Sequence, residues 1–126
     1  MTDTPRWPMP WIRASLELAV LGSLTTGPLH GYGIAQALAV QGFGLLKGGS
    51  LYPVLNRLEE ARSVEAVWVE GTGGPGKREY HLTATGQERL REELAQWRQL
   101  TDTLSEMAQN EMAQSDTGST STGETG

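Results

Sequence analysis

The chain has 126 residues with a formal net charge of −5, and a hydrophobic content of 37% allows one small core plus extensions. It contains no cysteine, which excludes disulfides, thiolate catalysis and cysteine-ligated zinc. No apolar run approaches the roughly 20 residues that cross a bilayer, and no signal-peptide pattern precedes the N-terminal prolines, so we expect a cytoplasmic protein without a membrane partner.

The acidic charge is unevenly distributed along the chain. Residues 1–82 contain seven Lys or Arg against seven carboxylates, whereas residues 83–126 contain three Arg against eight carboxylates. Because Lys and Arg supply much of the affinity for DNA, net acidity argues against a nucleic-acid partner, but a neutral segment with a local cationic edge remains compatible with one. We expect such a segment to bind DNA with a shallow salt dependence and to gain affinity from pairing with a second copy.

Residues 1–10 form an N-terminal arm in which three prolines oppose helix formation. The arm carries Trp7 and leads into Trp11. Because two large apolar side chains stand in an otherwise polar segment, we expect the arm to dock on the rest of the protein.

Residues 11–83 are predicted to form a small helical domain with a β-hairpin. Apolar residues at helical spacing indicate a first helix over 11–24 and a second over 31–41, joined to a third helix by a turn over 42–49. His30 stands at the start of the second helix and is expected to cap or pack there. His81 lies in a predicted strand and is also expected to be structural.

The third helix is predicted to start after Ser50, which can act as its N-cap and would place Pro53 in the first turn, where proline is tolerated. One face is apolar, through Leu51, Val54, Leu55 and Leu58. The other face is polar, through Tyr52, Asn56 and Arg57. Asn can pair with adenine, Arg with guanine or phosphate, and Tyr with phosphate, so this face is suited to the major groove of DNA.

A β-hairpin is predicted to follow, with Val64–Glu70 and Tyr80–Leu82 on either side of the glycine loop Gly71–Gly76. The basic pair Lys77 and Arg78 ends this loop and can reach phosphate or a minor groove. The loop also matches the G-x-G-x-x-G spelling of dinucleotide sites, but those sites need a helix after the glycines, and here a strand follows. A helix next to a basic hairpin indicates a winged helix-turn-helix.

Residues 84–112 are predicted to form one long amphipathic helix. The apolar stripe along this helix is too long for the small domain to cover, so a second copy of the chain is the simplest partner for it. The predicted dimer interface consists of Leu90, Leu94, Trp97, Leu100, Leu104 and Met107. Residues 113–126 are rich in Ser, Thr and Gly and are expected to be disordered.

Four motifs together resemble the PadR family of bacterial transcriptional regulators. They are LELAVL from Leu16, GPLHGYGI from Gly27, GSLYPVLNRLE from Gly49 and KREYHLT from Lys77, in the order and spacing of the family. The resemblance covers about Leu16 to Trp97. The length is similar to that of the short subfamily, which has a single C-terminal dimerisation helix.

The resemblance implies a mainly α fold with a small β-hairpin (α+β), namely a winged helix-turn-helix plus a long dimerisation helix. It also implies repression of transcription that a small molecule relieves. The DNA-binding residues expected from the motifs and the resemblance together are Tyr32, Lys47, Ser50, Tyr52, Pro53, Asn56, Arg57, Gly76, Lys77 and Arg78. In short members an effector cavity lies at the dimer interface, and here it would involve Trp97, Leu94 and Trp11.

Several alternatives stay open on the sequence alone. Trp97 is either a simple dimer anchor or part of a cavity that stacks a flat aromatic or hydrophobic effector. Residues 1–82, which carry no net charge, also fit a winged helix that binds another protein without reading DNA sequence. No Ser/His/Asp constellation and no metal-ligand spacing occurs, so we expect neither an enzyme nor a cofactor nor a metal site.

Overall fold

The computed structural model describes residues 4–71 and 73–120, with side chains through residue 110. The chain divides into two compact units, Met1–Arg91 and Glu92–Gly126. Its elements in chain order are α1 (Met9–Ser23), β1 (Leu29–His30), α2 (Gly31–Val40), α3 (Gly48–Glu60), β2 (Val64–Val69), β3 (Lys77–Leu82) and α4 (Ala84–Thr120).

The core of the first unit lies where the apolar faces of α1, α2 and α3 meet the sheet. The predicted apolar face of α3 is confirmed, because its four members are all buried. They pack with residues of the other elements, which include Leu16, Val20, Leu21, Ile34, Leu38, Val64 and Tyr80. Each fully buried aliphatic side chain contributes roughly 1.5–3 kcal/mol, so this shared core is what holds the three helices and the sheet together.

The sheet has three antiparallel strands in the order β1-β3-β2, one more than the predicted hairpin. The additional strand β1 pairs Leu29 with Tyr80 and His30 with Glu79. Two residues carry no alternation pattern, so only the tertiary pairing with β3 makes them a strand. The α+β winged-helix class is confirmed.

The N-terminal arm docks on the first unit, as predicted. The backbone N–H of Arg6 donates to the carbonyl of Gly42 at 2.7 Å, and the Trp7 ring packs edge-on against Phe43 with centroids 5.5 Å apart. The expected start of the first helix was two residues too late, because α1 begins at Met9. Proline is tolerated in a first turn, where amides have no helical acceptor, so Pro10 does not prevent this earlier start.

The prediction that Ser50 caps the third helix was wrong. The helix begins at Gly48, and Lys47 occupies the cap position without a side-chain hydrogen bond, its carbonyl accepting from the amides of Ser50 and Leu51 at 2.9 Å. Pro53 consequently lies inside the helix and not in its first turn. For α2 the expected role of His30 is confirmed, because His30 Nδ1 accepts from the amide of Gly33 at 3.1 Å.

Helix α4 starts on the first unit through a close backbone contact. Thr83 Oγ1 accepts from the amide of Gly86 at 2.9 Å and so caps the helix. The same hydroxyl donates to the carbonyl of Arg62 at 2.6 Å. Gly86 packs so closely on the α3–β2 turn that an added Cβ would overlap the carbonyl oxygen of buried Ser63. The first turn of α4 is thereby tied to the α3–β2 turn.

The second unit is the remainder of α4, and the helix runs to Thr120. The segment expected to be disordered begins at residue 113. The bounds of α4 include 113–120, and residues 121–126 lie outside the described part. Leu94, Leu100, Leu104 and Met107 are exposed in the single chain, at 41–62%. No helix among the described residues is long and apolar enough to span a membrane.

Candidate nucleic-acid interface

Helix α3 separates its residues into a buried and an exposed face, as its periodicity predicts. The exposed side carries Tyr52, Pro53, Asn56 and Arg57. Ser50 and Lys47 are also exposed, at the N-terminal end of the same helix. A surface helix with an amide, a guanidinium and a phenol on its outer side has the donors and acceptors needed to contact base edges and phosphates.

Tyr52 is placed by close packing on the start of α2. The Tyr52 ring lies against the backbone of Gly31, so that a Cβ on Gly31 would come within 2.9 Å of Tyr52 Cζ. Gly31 is buried, whereas the next residue, Tyr32, is 61% exposed. The two tyrosines therefore come from different helices and meet at one site.

A groove of about 350 Å³ connects these tyrosines to the wing. Its lining brings together five residues predicted for DNA binding, namely Tyr32, Tyr52, Gly76, Lys77 and Arg78. It also contains His30, Gly31, Trp68 and Tyr80. The beginnings of α2 and α3 and the base of the wing thus form one continuous surface with aromatic and cationic side chains.

The two basic residues of the wing lie in strand β3 and not at the tip of the loop. Lys77 pairs with Val69 and Arg78 with Trp68 across the hairpin. Arg78 Nη2 donates to both carboxylate oxygens of Glu59 on α3, at 2.8 and 2.9 Å. Lys77 is exposed, and within the described parts of the chain it has no ion pair. Of these two wing cations, Lys77 has no ion pair among the described residues and Arg78 already binds helix α3.

Tyr80 lies beneath Arg78, whose guanidinium carbon is 5.7 Å from the ring centroid. Burial raises the pKa of the Tyr80 hydroxyl above its usual value of 10.0, although the charge of Arg78 acts in the opposite direction. The ring stays neutral at physiological pH and serves as a packed support for the Arg78 side chain.

Arg57 also has a partner within the protein. Its Nε donates to Glu17 Oε2 on α1 at 2.9 Å, while the Arg57 side chain remains 57% exposed. The other oxygen of Glu17 accepts from Arg89 in α4. Of the cations predicted to contact DNA, Arg57 and Arg78 are thus each oriented by a carboxylate.

Sequence reasoning missed Trp68 and Glu17. Trp68 is 63% exposed on β2, and a Cβ on Gly76 would lie 2.6 Å from its Nε1, so the indole rests on the glycine backbone. Trp68 lies on the same face of β2 as buried Val64 and half-buried Ala66. An exposed aromatic residue at the end of this alternating series was the sequence signal that could have identified it. Glu17 has no comparable local signal.

The residues predicted to bind an effector are divided between the two units. Trp11 is 63% exposed in the first unit, and Leu94 and Trp97 belong to the second. Among the described residues no group of three or more His, Cys, Asp or Glu could hold a metal ion.

A three-helix head with a small sheet, a surface helix over a buried apolar face and a hairpin beside it define a winged helix-turn-helix protein. The sequence profile of the transcriptional regulator PadR-like family matches residues 20–92. The chain therefore belongs to the PadR-like family of transcriptional regulators, and it is not an enzyme.

Two solved structures that carry the PadR name, and one curated protein, are similar to this chain. A PadR family transcriptional regulator from Eggerthella lenta is 30% identical, with a TM-score of 0.73 over 79% of this chain and 87% of its own. The Bacillus subtilis PadR structure in complex with operator DNA is 28% identical, with a TM-score of 0.57 over 63% of this chain and 46% of that one. An uncharacterized transposon protein from Streptomyces fradiae is 35% identical over 92 residues, and this chain spans only 26% of its length.

Proposed function

We propose that this protein is a homodimeric DNA-binding repressor in the bacterial cytoplasm, and that α3 and the wing contact its operator. The observation that carries this proposal is the groove where Tyr32, Tyr52, Lys77 and Arg78 meet beside the exposed face of α3. The likeness to a PadR structure bound to operator DNA supports the same partner for this chain.

The proposed contacts divide into positioning and reading. Tyr32, Lys47, Ser50 and Lys77 contact phosphates and fix the register, whereas Asn56 and Arg57 reach base edges in the major groove. The remaining members of the predicted set, Tyr52, Pro53, Gly76 and Arg78, shape the surface between helix and wing. In a homodimer the two copies of α3 enter successive major grooves, about 34 Å apart on a pseudo-palindromic site.

The dimer is proposed from α4. Leu94, Leu100, Leu104 and Met107 are exposed in the single chain and lie three, four or six residues apart, so a second copy would cover an apolar stripe. Leu90 and Trp97 are half-buried and complete the proposed interface. Analytical ultracentrifugation should give the mass of a dimer, and Leu104→Glu should shift it to the monomer. A wild-type protein that stays monomeric at micromolar concentration contradicts this part of the proposal.

The proposed effector is a flat aromatic or hydrophobic molecule that stacks on Trp97 beside Leu94 at the dimer interface. It would release the operator only by binding one arrangement of the two heads better than the other. Titration of tryptophan fluorescence with planar aromatic compounds should show quenching that Trp97→Ala removes. Unchanged ligand affinity in Trp97→Ala excludes this pocket.

The central test is selection of bound fragments from the source genome by the full chain, followed by affinity measurements at several salt concentrations. Lys77→Ala should weaken operator binding by about three- to tenfold and reduce the salt slope by about one. Arg91→Ala is the matched control, because Arg91 is an exposed cation paired with Glu88 on α4. A reporter gene behind a selected fragment should be less active when the protein is present.

A protein-interaction module is the alternative, favoured by the carboxylate partners of Arg57 and Arg78. It predicts weak binding that does not depend on DNA sequence. If no fragment is enriched and Lys77→Ala equals Arg91→Ala on every duplex, the alternative replaces the repressor.

A further inference from the structure

Glu17 is the one carboxylate of α1 that joins two other helices within the first unit. Its Oε2 accepts from Arg57 of α3, and its Oε1 accepts from Arg89 near the start of α4. The side chains of Glu17 and Arg89 are only 29% and 26% exposed, whereas that of Arg57 is 57% exposed. The Glu17 carboxylate is therefore largely protected from solvent, and it holds an Arg57 side chain that extends outward.

Arg89 fixes the carboxylate from the inner side. It also donates to the hydroxyl of Ser63 at 3.3 Å, and Ser63 is buried in the α3–β2 turn. Partial burial acts to raise the pKa of Glu17, but the hydrogen bonds and charges of Arg57 and Arg89 outweigh it and hold the pKa below the ordinary 4.5. Glu17 is thus an ionised acceptor with a defined orientation.

The contact between Glu17 and Arg57 leaves the end of the guanidinium available. Glu17 binds Nε, and no second side-chain partner of Arg57 occurs among the described residues, so both terminal nitrogens can donate to an outside acceptor. An unrestrained arginine loses side-chain freedom when it binds DNA, and a guanidinium already held in place loses less. Arg57 follows Asn56 on the exposed face of α3.

We infer that Glu17 is a positioning residue for DNA recognition: it orients the Arg57 guanidinium of α3 toward the operator while Arg89 fixes the carboxylate. The inference rests on the proposed function, and it adds a residue of α1 that does not itself contact DNA. A fixed orientation of the Arg57 guanidinium suits the contacts at the operator and not arbitrary arrangements of acceptors. Glu17 therefore contributes to discrimination between operator and unrelated DNA more than to general affinity.

The test compares a selected operator duplex with a scrambled duplex of the same length, using the full chain at fixed salt. Glu17→Gln should bind the operator roughly tenfold more weakly, while its affinity for the scrambled duplex stays equal or rises slightly because a negative charge is lost. Glu60→Gln is the matched control, since Glu60 is an exposed carboxylate on α3 without a partner in the described residues. It should leave operator discrimination unchanged.

A double-mutant cycle shows whether Glu17 acts through Arg57. Arg57→Gln alone should also weaken operator binding, and the double variant should be no weaker than the weaker single variant, because both changes remove the same contact. Glu17→Asp gives a second measurement if Glu17→Gln fails to fold, because it keeps the charge but shortens the reach, and it should also lose operator affinity.

Three results overturn the inference: Glu17→Gln behaves like Glu60→Gln on both duplexes, Glu17→Gln binds the operator more tightly, or the two single losses add in the double variant. These outcomes are distinct from failure of the proposed function, because if the proposed function fails, the wild-type protein selects no operator at all.

Discussion

Replacing Gly86 by alanine tests the close contact between the start of α4 and the α3–β2 turn. The new Cβ would overlap the carbonyl oxygen of Ser63 and lie 2.8 Å from Leu82 Cδ1 and 3.0 Å from the Ser63 carbonyl carbon. Ordinary carbon–carbon contacts are about 3.5–4.0 Å, so the helix and the turn must move apart by roughly 0.5 Å or more.

Two effects of opposite sign determine the outcome of Gly86→Ala. Alanine favours a helix over glycine by about 1 kcal/mol, whereas overpacking a buried contact costs about 1–3 kcal/mol. The obstacle is backbone and cannot rotate away, so we expect the upper end of that cost and a net loss of about 2 kcal/mol. For a domain of this size that lowers the Tm by about 8–16 °C.

Gly22→Ala in α1 is the matched control for thermal or urea unfolding. A Cβ on Gly22 meets nothing within 4 Å, so only the helical preference acts. We expect stabilisation of about 0.5–1 kcal/mol and a Tm several degrees higher. The reasoning is refuted if Gly86→Ala is as stable as the wild-type protein, or if both substitutions destabilise equally.

Further predictions concern Tyr52, the N-terminal arm and Glu17. Gly31→Ala should displace the Tyr52 ring and weaken operator binding several-fold, as measured by fluorescence anisotropy, and unchanged affinity contradicts a role for Tyr52. Trp7→Ala should lower the free energy of unfolding, as measured by urea denaturation, by about 1 kcal/mol, because the contact with Phe43 is lost. Since the folded-state pKa of Glu17 lies below its ordinary 4.5, its stabilisation is present at pH 7 and is lost as the pH falls through the folded-state pKa. The stability difference from Glu17→Gln should therefore shrink under acid, and a constant difference is the contrary result.

The parts of the fold that follow from local pattern were predicted from the sequence. The buried face of α3 and the partner strands β2 and β3 depend on spacing and on β-branched residues, which are visible in a short window. Strand β1 was not predicted, because it depends on pairing with β3. The start of α3 was also placed too late. Ser50 has the chemistry of a cap, but Gly48 and Gly49 extend the helix beyond it.

The candidate site was predicted as a set of residues and not as a set of contacts. Five of the ten expected residues line one groove. The carboxylate partners could not be predicted, because Arg57 binds a residue 40 positions away and Arg78 one 19 positions away. Only the folded chain brings Glu17 and Glu59 to those arginines.

Pairing arginines with carboxylates has a consequence for search along a chromosome. A cation that already has a counter-charge gains less from arbitrary phosphates, so under the proposed function we expect weak retention on the large excess of unrelated sequence. Lower retention leaves more free copies to find the few correct sites. On that proposal, the ion pairs of Arg57 and Arg78 favour selectivity over general adhesion to DNA.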